Sequence, residues 1–341
     1  MTGLLLAIVL FLLILAAAQI MRIYELSLKA SNKKEYIVTH RNNSNQGRLM
    51  LLFGISLLVS FVWMVNAWSP LFLPKPSSAH GLEIDMLWDI SMGLIVVTFF
   101  IVQPILFFFA YKYRGKEGQK ATYYEHNNKL EFIWTIVPAV VLAVLIVYGM
   151  TTWSNVWNPD NEEEPLIVEV YAQQFKWTVR YSGADNTLGN ANVRLIKGVN
   201  VIGVDTLDPA SQDDIITSEL HLPLGKPIKF VFRAQDVIHS AYMPHFRAQM
   251  NCVPGAQTSF KFTPTITTEE IRMDPDVIAK VGRINKIRRE AGKDLYEYDY
   301  LLLCNKVCGS AHYNMQMPLI VETEAEYAQW LSEQKTVKES I

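Results

Sequence analysis

The 341-residue chain is poor in cysteine, with three, too few for a disulfide scaffold. Its formal net charge is only −2, and so small an imbalance argues against a nucleic-acid binder. Histidine is at an ordinary level, seven residues, and there is no His-rich tract. There is no Cys-x2-Cys-His segment, the signal for covalent haem attachment, and no internal repeat. Charge is also missing from four long apolar runs, 4–20, 49–68, 90–111 and 132–153, none of which holds Asp, Glu, Lys or Arg inside it.

What the chain has instead is apolar residues. They make up 50% of it, with a mean hydropathy of +0.13, and they gather in the first half. A membrane-spanning helix takes about 20 such residues, so the four runs are read as four transmembrane helices. Buried helices of a soluble protein are the competing reading, and four uncharged runs of this length count against it. Ala16, Ala17 and Ala18 resemble a signal cleavage site. No Lys or Arg precedes the run, as a signal peptide requires, so it is read as a retained helix.

Loop charges set the expected orientation. Loop 21–48 carries Arg22, Lys29, Lys33, Lys34, Arg41 and Arg48, and loop 112–129 carries Lys112, Arg114, Lys116, Lys120 and Lys129. The loop between them, 69–88, has Lys75 with Glu83 and Asp85. Basic loops stay in the cytoplasm, which puts both termini and the C-terminal half on the opposite side. Trp63, Trp68, Trp88, Trp134 and Trp153 fall near span ends, as an aromatic belt does.

From residue 160 onward the pattern becomes short and alternating. Segments 166–171, 175–181, 228–232, 258–262 and 298–303 read as strands, punctuated by Ser182-Gly183, Pro223 and Pro254-Gly255. Many short strands with turn signals predict a sandwich or barrel. A helix is expected over 275–290, with Asp274 as N-cap, Pro275 first and Gly292 past the end. It is basic (Lys280, Arg283, Lys286, Arg288, Arg289), as a solvated insertion or a partner-docking surface would be. A second helix is expected over 325–335.

One cluster carries chemistry: Cys304-Asn-Lys306-Val-Cys308-Gly-Ser-Ala-His312-Tyr-Asn-Met315. Thiolate, imidazole and thioether together form the soft ligand set that selects copper. A single-copper electron-transfer site uses one Cys, two His and a weak Met; two Cys suit two coppers bridged by two thiolates. The second imidazole must come from elsewhere, and His239, in Asp236-Val-Ile-His239-Ser240, is the best candidate. The cysteine spacing also admits a structural zinc site or a disulfide, although a thioether is not a zinc ligand. Cys252 is read as buried and inert, and His221 and His245 as surface or packing histidines rather than ligands.

These runs resemble the dinuclear copper A motif of cytochrome c oxidase subunit II. Two more segments are similar to that family: Leu130-Glu131-Phe-Ile-Trp-Thr-Ile-Val-Pro138, at the start of its last transmembrane helix, and Gln174-Phe175-Lys-Trp177-Thr-Val-Arg-Tyr181, its aromatic strand. The resemblance covers about 130–322 and leaves the first two helices unaccounted for. Together with the four apolar runs it gives a membrane protein of α+β class: four transmembrane helices, read from the runs, then the cupredoxin-like β-sandwich that the resemblance implies. The divisions are 1–48, 49–153 and 154–341, with a helical insertion near 274–292. It implies metal ligation by His239, Cys304, Cys308, His312, Met315 and the carbonyl of Lys306, electron input at Phe175 and Trp177, and proton-channel access at Glu131. A lone Glu at a helix start is also a favourable dipole partner. The implied partners are a haem–copper catalytic subunit, which would hold the haems and the third copper, other oxidase subunits, cytochrome c or a cytochrome-bearing complex as donor, and membrane lipid. The implied location is the bacterial cytoplasmic membrane, copper domain on the periplasmic side.

The sequence departs from that family at two positions. Lys306 stands where a Glu usually reaches a magnesium shared with the catalytic subunit, and Phe175 stands where Trp is usual. Asp160, Glu162, Glu163, Glu164, Asp213 and Asp214 would suit the steering of a basic donor, and the first four equally suit a solvated linker. Rival functions are a copper-carrying nitric oxide reductase subunit, a quinol-oxidase-like subunit II, for which the copper ligands would have no use, nitrous oxide reductase, which needs more histidine, and a copper carrier, for which Glu131 would have none.

Overall fold

The computed structural model describes residues 2–30, 39–157 and 163–341, with side chains from 11 to 27 in the first stretch. Asp160, Glu162, Lys33 and Lys34, and the side chains of Lys29 and of residues 4–10 in the first apolar run, therefore lie outside what is described. Helix α1 covers Thr2–Ala30, with residues 11–27 exposed. Among the described residues three helices are long and apolar enough to cross a membrane: α2 (His40–Trp68), α3 (Ala79–Lys112) and α4 (Asn128–Trp157). The expectation of four spans is met at these three. Their apolar side chains are turned outward; Leu52, Ile101 and Val144 are each more than half exposed. A soluble helix would bury that surface at a gain of about 25 cal/mol per Å²; lipid is the solvent that leaves it no cost.

Contacts divide the chain into two units, 1–62 with 98–126 and 63–97 with 127–341. In the first, α2 and α3 pack closely. A Cβ at Gly54 would lie 2.5 Å from the Phe107 ring, so only glycine permits the approach. Phe61 meets Phe99 at 5.0 Å and Phe53 meets Phe107 at 5.6 Å. The hairpin is tied at its basic end, where Asn43 donates to the Gly115 carbonyl (3.3 Å) and Arg114 reaches Ser44 (3.4 Å).

The second unit holds the sheets. Among the described residues ten strands make two five-stranded sheets. The first runs β3 (Ile215–Thr217), β2 (Lys176–Tyr181), β1 (Leu166–Gln173), β5 (Ile228–Ala234), β8 (Thr258–Phe262). The second runs β4 (Leu220–Pro223), β10 (Gln316–Glu322), β9 (Tyr300–Cys304), β6 (His239–Met243), β7 (Ala248–Cys252). Pairings are antiparallel except β1 with β5 and β10 with β4. Alternate residues of both sheets, among them Val168, Val170, Trp177, Phe230, Tyr300 and Leu302, form one core. Strand β1 is buried on both faces because segment 182–214 covers the outer one. Tyr171 packs there with Ile202, Val204 and Val337, and buried Glu169 accepts from Arg180 (2.6 Å) and Arg233.

The expected helix at 275–290 is α6 (Pro275–Glu290), preceded by a short α5 (Thr268–Arg272). The expected C-terminal helix at 325–335 is α7 (Glu324–Ser332), opened by a capping box, and a separate short helix, α8 (Val337–Ser340), follows it.

Candidate metal centre

Three chain segments converge at one end of the sheets. Strand β6 begins at His239, directly after an exposed loop, 235–238. Strand β9 ends at Cys304, and register places Ala241 opposite Cys304. The loop from 305 to 315 then returns to β10. It is closed at its base by the Cys304 N–H to Met315 carbonyl bond (3.0 Å) and held to β6 by the Asn305 N–H to Ser240 carbonyl bond (2.9 Å). The cluster motif thus folds into one closed loop, with His239 brought alongside by strand pairing.

Donor atoms gather around two sulfurs. Cys304 Sγ and Cys308 Sγ are 3.8 Å apart, far beyond the ~2.05 Å of a disulfide, and both cysteines are free. Cys304 Sγ lies 3.9 Å from His239 Nδ1 and 3.2 Å from the Lys306 carbonyl oxygen. Cys308 Sγ lies 3.7 Å from His312 Nδ1 and 3.7 Å from Met315 Sδ. Ligand atoms of His239, Cys304 and Cys308 all fall within 4.8 Å of one another, a group able to hold a metal ion. His239 is fully buried, Met315 and Cys308 nearly so, and Cys304 and His312 partly. Burial, then the neighbouring Cys304, pushes the Cys308 thiol up to about 11. The Cys308 thiol thus resists ionising without a cation beside it, and a bound metal would remove that resistance.

His239 is oriented from behind. Its Nε2 lies 2.8 Å from Asp236 Oδ1, which leaves Nδ1 for the sulfurs. Burial would raise the Asp236 carboxyl, but hydrogen bonds from His239, the Gln174 N–H and the Val237 N–H outweigh it and hold the group below its usual range. Trp177 is buried with its ring centroid 6.2 Å from that of His239. Phe175 is half-buried against Gly309, whose φ is +146° and where any Cβ would come within 2.8 Å of Phe175 Cζ. Glu131 is elsewhere, in the exposed first turn of α4. There its carboxylate accepts from the Asn127 N–H (3.4 Å) while Asn127 Oδ1 caps the Leu130 N–H (3.1 Å).

Of the acids expected to steer a donor, the four among the described residues, Glu163, Glu164, Asp213 and Asp214, do not flank this centre. Strand β1 begins at Leu166 and reaches the centre at Gln173, about 25 Å further on at ~3.3 Å per residue; Glu163 and Glu164 precede its far end. Asp213 accepts from the Ala184 and Asp185 N–H groups beyond the far end of β2. Asp214 is fully buried against Arg180 (3.2 Å). The packing readings hold: His245 is buried with its pKa lowered by desolvation to about 4, His221 stacks on Trp330 at 4.1 Å, and burial lifts the Cys252 thiol to about 12. Sequence reasoning gave no role to Gln174 or Asp236. An Asp three residues before the candidate ligand His239 was the signal available for the second.

Comparison with known proteins places the chain among oxidase subunits. Residues 66–151 match the family described as cytochrome C oxidase subunit II, transmembrane domain. The chain is 35% identical over 246 residues to the alternative cytochrome c oxidase subunit 2 of Bradyrhizobium diazoefficiens, covering 70% of this chain and 77% of that one. It is 24% identical over 291 residues to cytochrome c oxidase subunit 2 of Thermostichus vulcanus, covering 78% and 79%. Among solved structures, the periplasmic domain of subunit II of cytochrome oxidase (CoxB) of Bradyrhizobium japonicum is 19% identical, covers 50% of this chain and 93% of that one, and gives a TM-score of 0.30.

Proposed function

The chain belongs to the cytochrome c oxidase subunit 2 family, and we propose that it is the electron-input subunit of such an oxidase, holding a dinuclear copper centre. The observation that carries this reading is the symmetry of the donor set. Each sulfur has one imidazole and one weaker donor beside it: His239 and the Lys306 carbonyl at Cys304, His312 and Met315 at Cys308. Six donor groups exceed the four of a structural zinc site, and thioether with thiolate is a soft set suited to copper. When bound, the two coppers supply a one-electron relay in which the charge change is spread over both metals.

The residues of the chain give that relay a rigid, dry seat. Asp236 fixes the ring of His239, the closed loop fixes Cys308, His312 and Met315, and Trp177 excludes water from the inner side. Phe175 lies at the surface beside Gly309 and is the input position for electrons from cytochrome c. The domain, 154–341, is cupredoxin-like in this reading and stands on the periplasmic side of a bacterial cytoplasmic membrane, above four spans that include the first run. The catalytic subunit beside it holds the haems and the third copper, reduces oxygen and pumps protons, and Glu131 serves proton access on the cytoplasmic side. Lys306 brings a cation where a carboxylate would reach magnesium, so no magnesium contact is assigned to it.

The test is electron paramagnetic resonance and metal analysis of the oxidase purified with this subunit. One unpaired electron shared by two copper nuclei, with two coppers per chain beyond that of the catalytic subunit, is expected. A mononuclear signal, or zinc in place of copper, overturns the reading.

A further inference from the structure

Two groups near the centre have no place in the ligand set, yet their contacts converge on it. Asp236 uses both carboxylate oxygens. Oδ1 lies 2.8 Å from His239 Nε2 and accepts the Val237 N–H at 2.8 Å; Oδ2 accepts the Gln174 N–H at 2.7 Å. Gln174 continues the chain of contacts, for its side-chain amide donates to the carbonyl of Cys308. The next residue, Phe175, fills the space that the missing side chain of Gly309 leaves. Gln173 and Gln235 close the same turn from the other side, amide to amide. The turn between β1 and β2 is thereby bonded to both halves of the sulfur cluster, through Asp236 to His239 and through Gln174 to Cys308.

We propose that Asp236, with Gln174, is a positioning residue that couples the exposed Phe175 turn to the metal centre. This deepens the copper reading above and rests on it. The chemistry follows from the contacts. With Nδ1 turned toward the sulfurs, His239 donates from Nε2, and a carboxylate is the acceptor that fixes both ring angle and tautomer. Its second oxygen takes the Gln174 N–H, so displacement of the turn is transmitted to the ring. An amide in its place satisfies one arm only. If Oδ1 of Asn accepts from His239, its NH2 faces the Gln174 N–H, donor against donor.

The experiment compares the wild-type oxidase complex with Asp236→Asn and Gln174→Glu, the second placing a carboxylate against the Cys308 carbonyl. Three quantities are read: the copper hyperfine pattern, the midpoint potential, and the loss of copper to a chelator. For Asp236→Asn the expected result is an unequal sharing of the electron, a potential moved upward by loss of the carboxylate's charge, and a copper affinity about 10–100-fold weaker, the usual cost of removing such a partner. Gln174→Glu is expected to alter the hyperfine pattern with Asp236 intact, and it decides the matter should Asp236→Asn fail to assemble. Variants that lose only thermal stability, with wild-type signal, potential and copper retention, overturn the proposal while leaving the copper reading in place. A wild-type complex without the shared-electron signal overturns the copper reading itself, and this proposal with it.

Discussion

Arg247 grips Asp85 at two points, Nε to Oδ1 and Nη2 to Oδ2, both at 2.7 Å. Asp85 lies in the first turns of α3, and Arg247 follows a helical turn between β6 and β7 with a φ of +50°. The same guanidinium donates to the carbonyls of Pro74 and Pro244, each at 2.6 Å. Around it, Ser77 donates its N–H to the His245 carbonyl (2.7 Å) and Tyr300 reaches Ser77 Oγ (3.0 Å). The segment joining α2 to α3 is therefore clamped to the sheets that carry the candidate metal centre.

Arg247→Met is expected to cost about 3 kcal/mol, because it leaves Asp85 and two carbonyls without their donor in a largely buried place. Arg247→Lys is expected to recover little, since a single ammonium cannot match a two-point carboxylate contact. Thermal unfolding of the purified complex checks both. Equal melting of Arg247→Lys and wild type would show that charge alone holds the clamp.

Cysteine replacements separate ligands from core. Cys308→Ser and Cys304→Ser are each expected to abolish the two-copper signal and reduce the bound copper of this subunit to one or none. Cys252→Ser is expected to keep both coppers. It should cost about 1–3 kcal/mol for burying a hydroxyl in an apolar site, because Cys252 is fully buried in the core. Copper analysis and unfolding of the three variants decide this, and copper loss from Cys252→Ser would contradict it.

Asp214 should make stability pH-dependent. Burial, only partly offset by Arg180 and the Gly189 N–H, raises its carboxyl from 3.8 to about 6. The folded state therefore holds the proton more tightly than the unfolded one. The stabilisation is greatest below about 4 and is lost as pH rises through about 6. Asp214→Asn should flatten that slope. Unfolding of wild type and variant at several pH values between 4 and 7 gives the difference, and parallel curves would remove Asp214 as its source.

Glu131 separates two roles. As a helix-cap partner alone, its replacement by Gln should change stability by no more than ~1 kcal/mol. As proton access, Glu131→Gln should lower steady-state oxygen reduction several-fold with the copper signal unchanged. Oxygen uptake and proton release by reconstituted vesicles distinguish them, and unchanged turnover leaves the cap as its role.

The candidate metal site was legible in the chain because four of its donor side chains sit in one loop, where spacing encodes geometry directly. Cys304, Cys308, His312 and Met315 need only a closed turn to meet. The spans at α2, α3 and α4 were legible for a similar reason, since uncharged length is itself the physical requirement for crossing lipid. Strands β3, β4, β6, β7 and β10 were missed. Strand β3 has three residues, β4 and β10 carry Pro (Pro223, Pro318), and β6 and β7 hold no β-branched residue, so their identity as strands comes from their neighbours rather than from alternation. Phe175 itself proved to lie in the turn just before β2.

Sequence alone thus determined the chemistry: the soft donor set, the apolar helices and the change of character near residue 160. Tertiary structure decided what surrounds that chemistry. It brought Asp236 behind His239 and Gln174 onto the Cys308 loop, joined Arg247 to Asp85 across 162 positions, and put the acids of β1's leading end and of segment 213–214 away from the centre. The physical reason is common to all of these. Ligand type is a property of single residues, whereas orientation, burial and charge placement are set by strand register and core packing, which depend on contacts between segments distant in the chain.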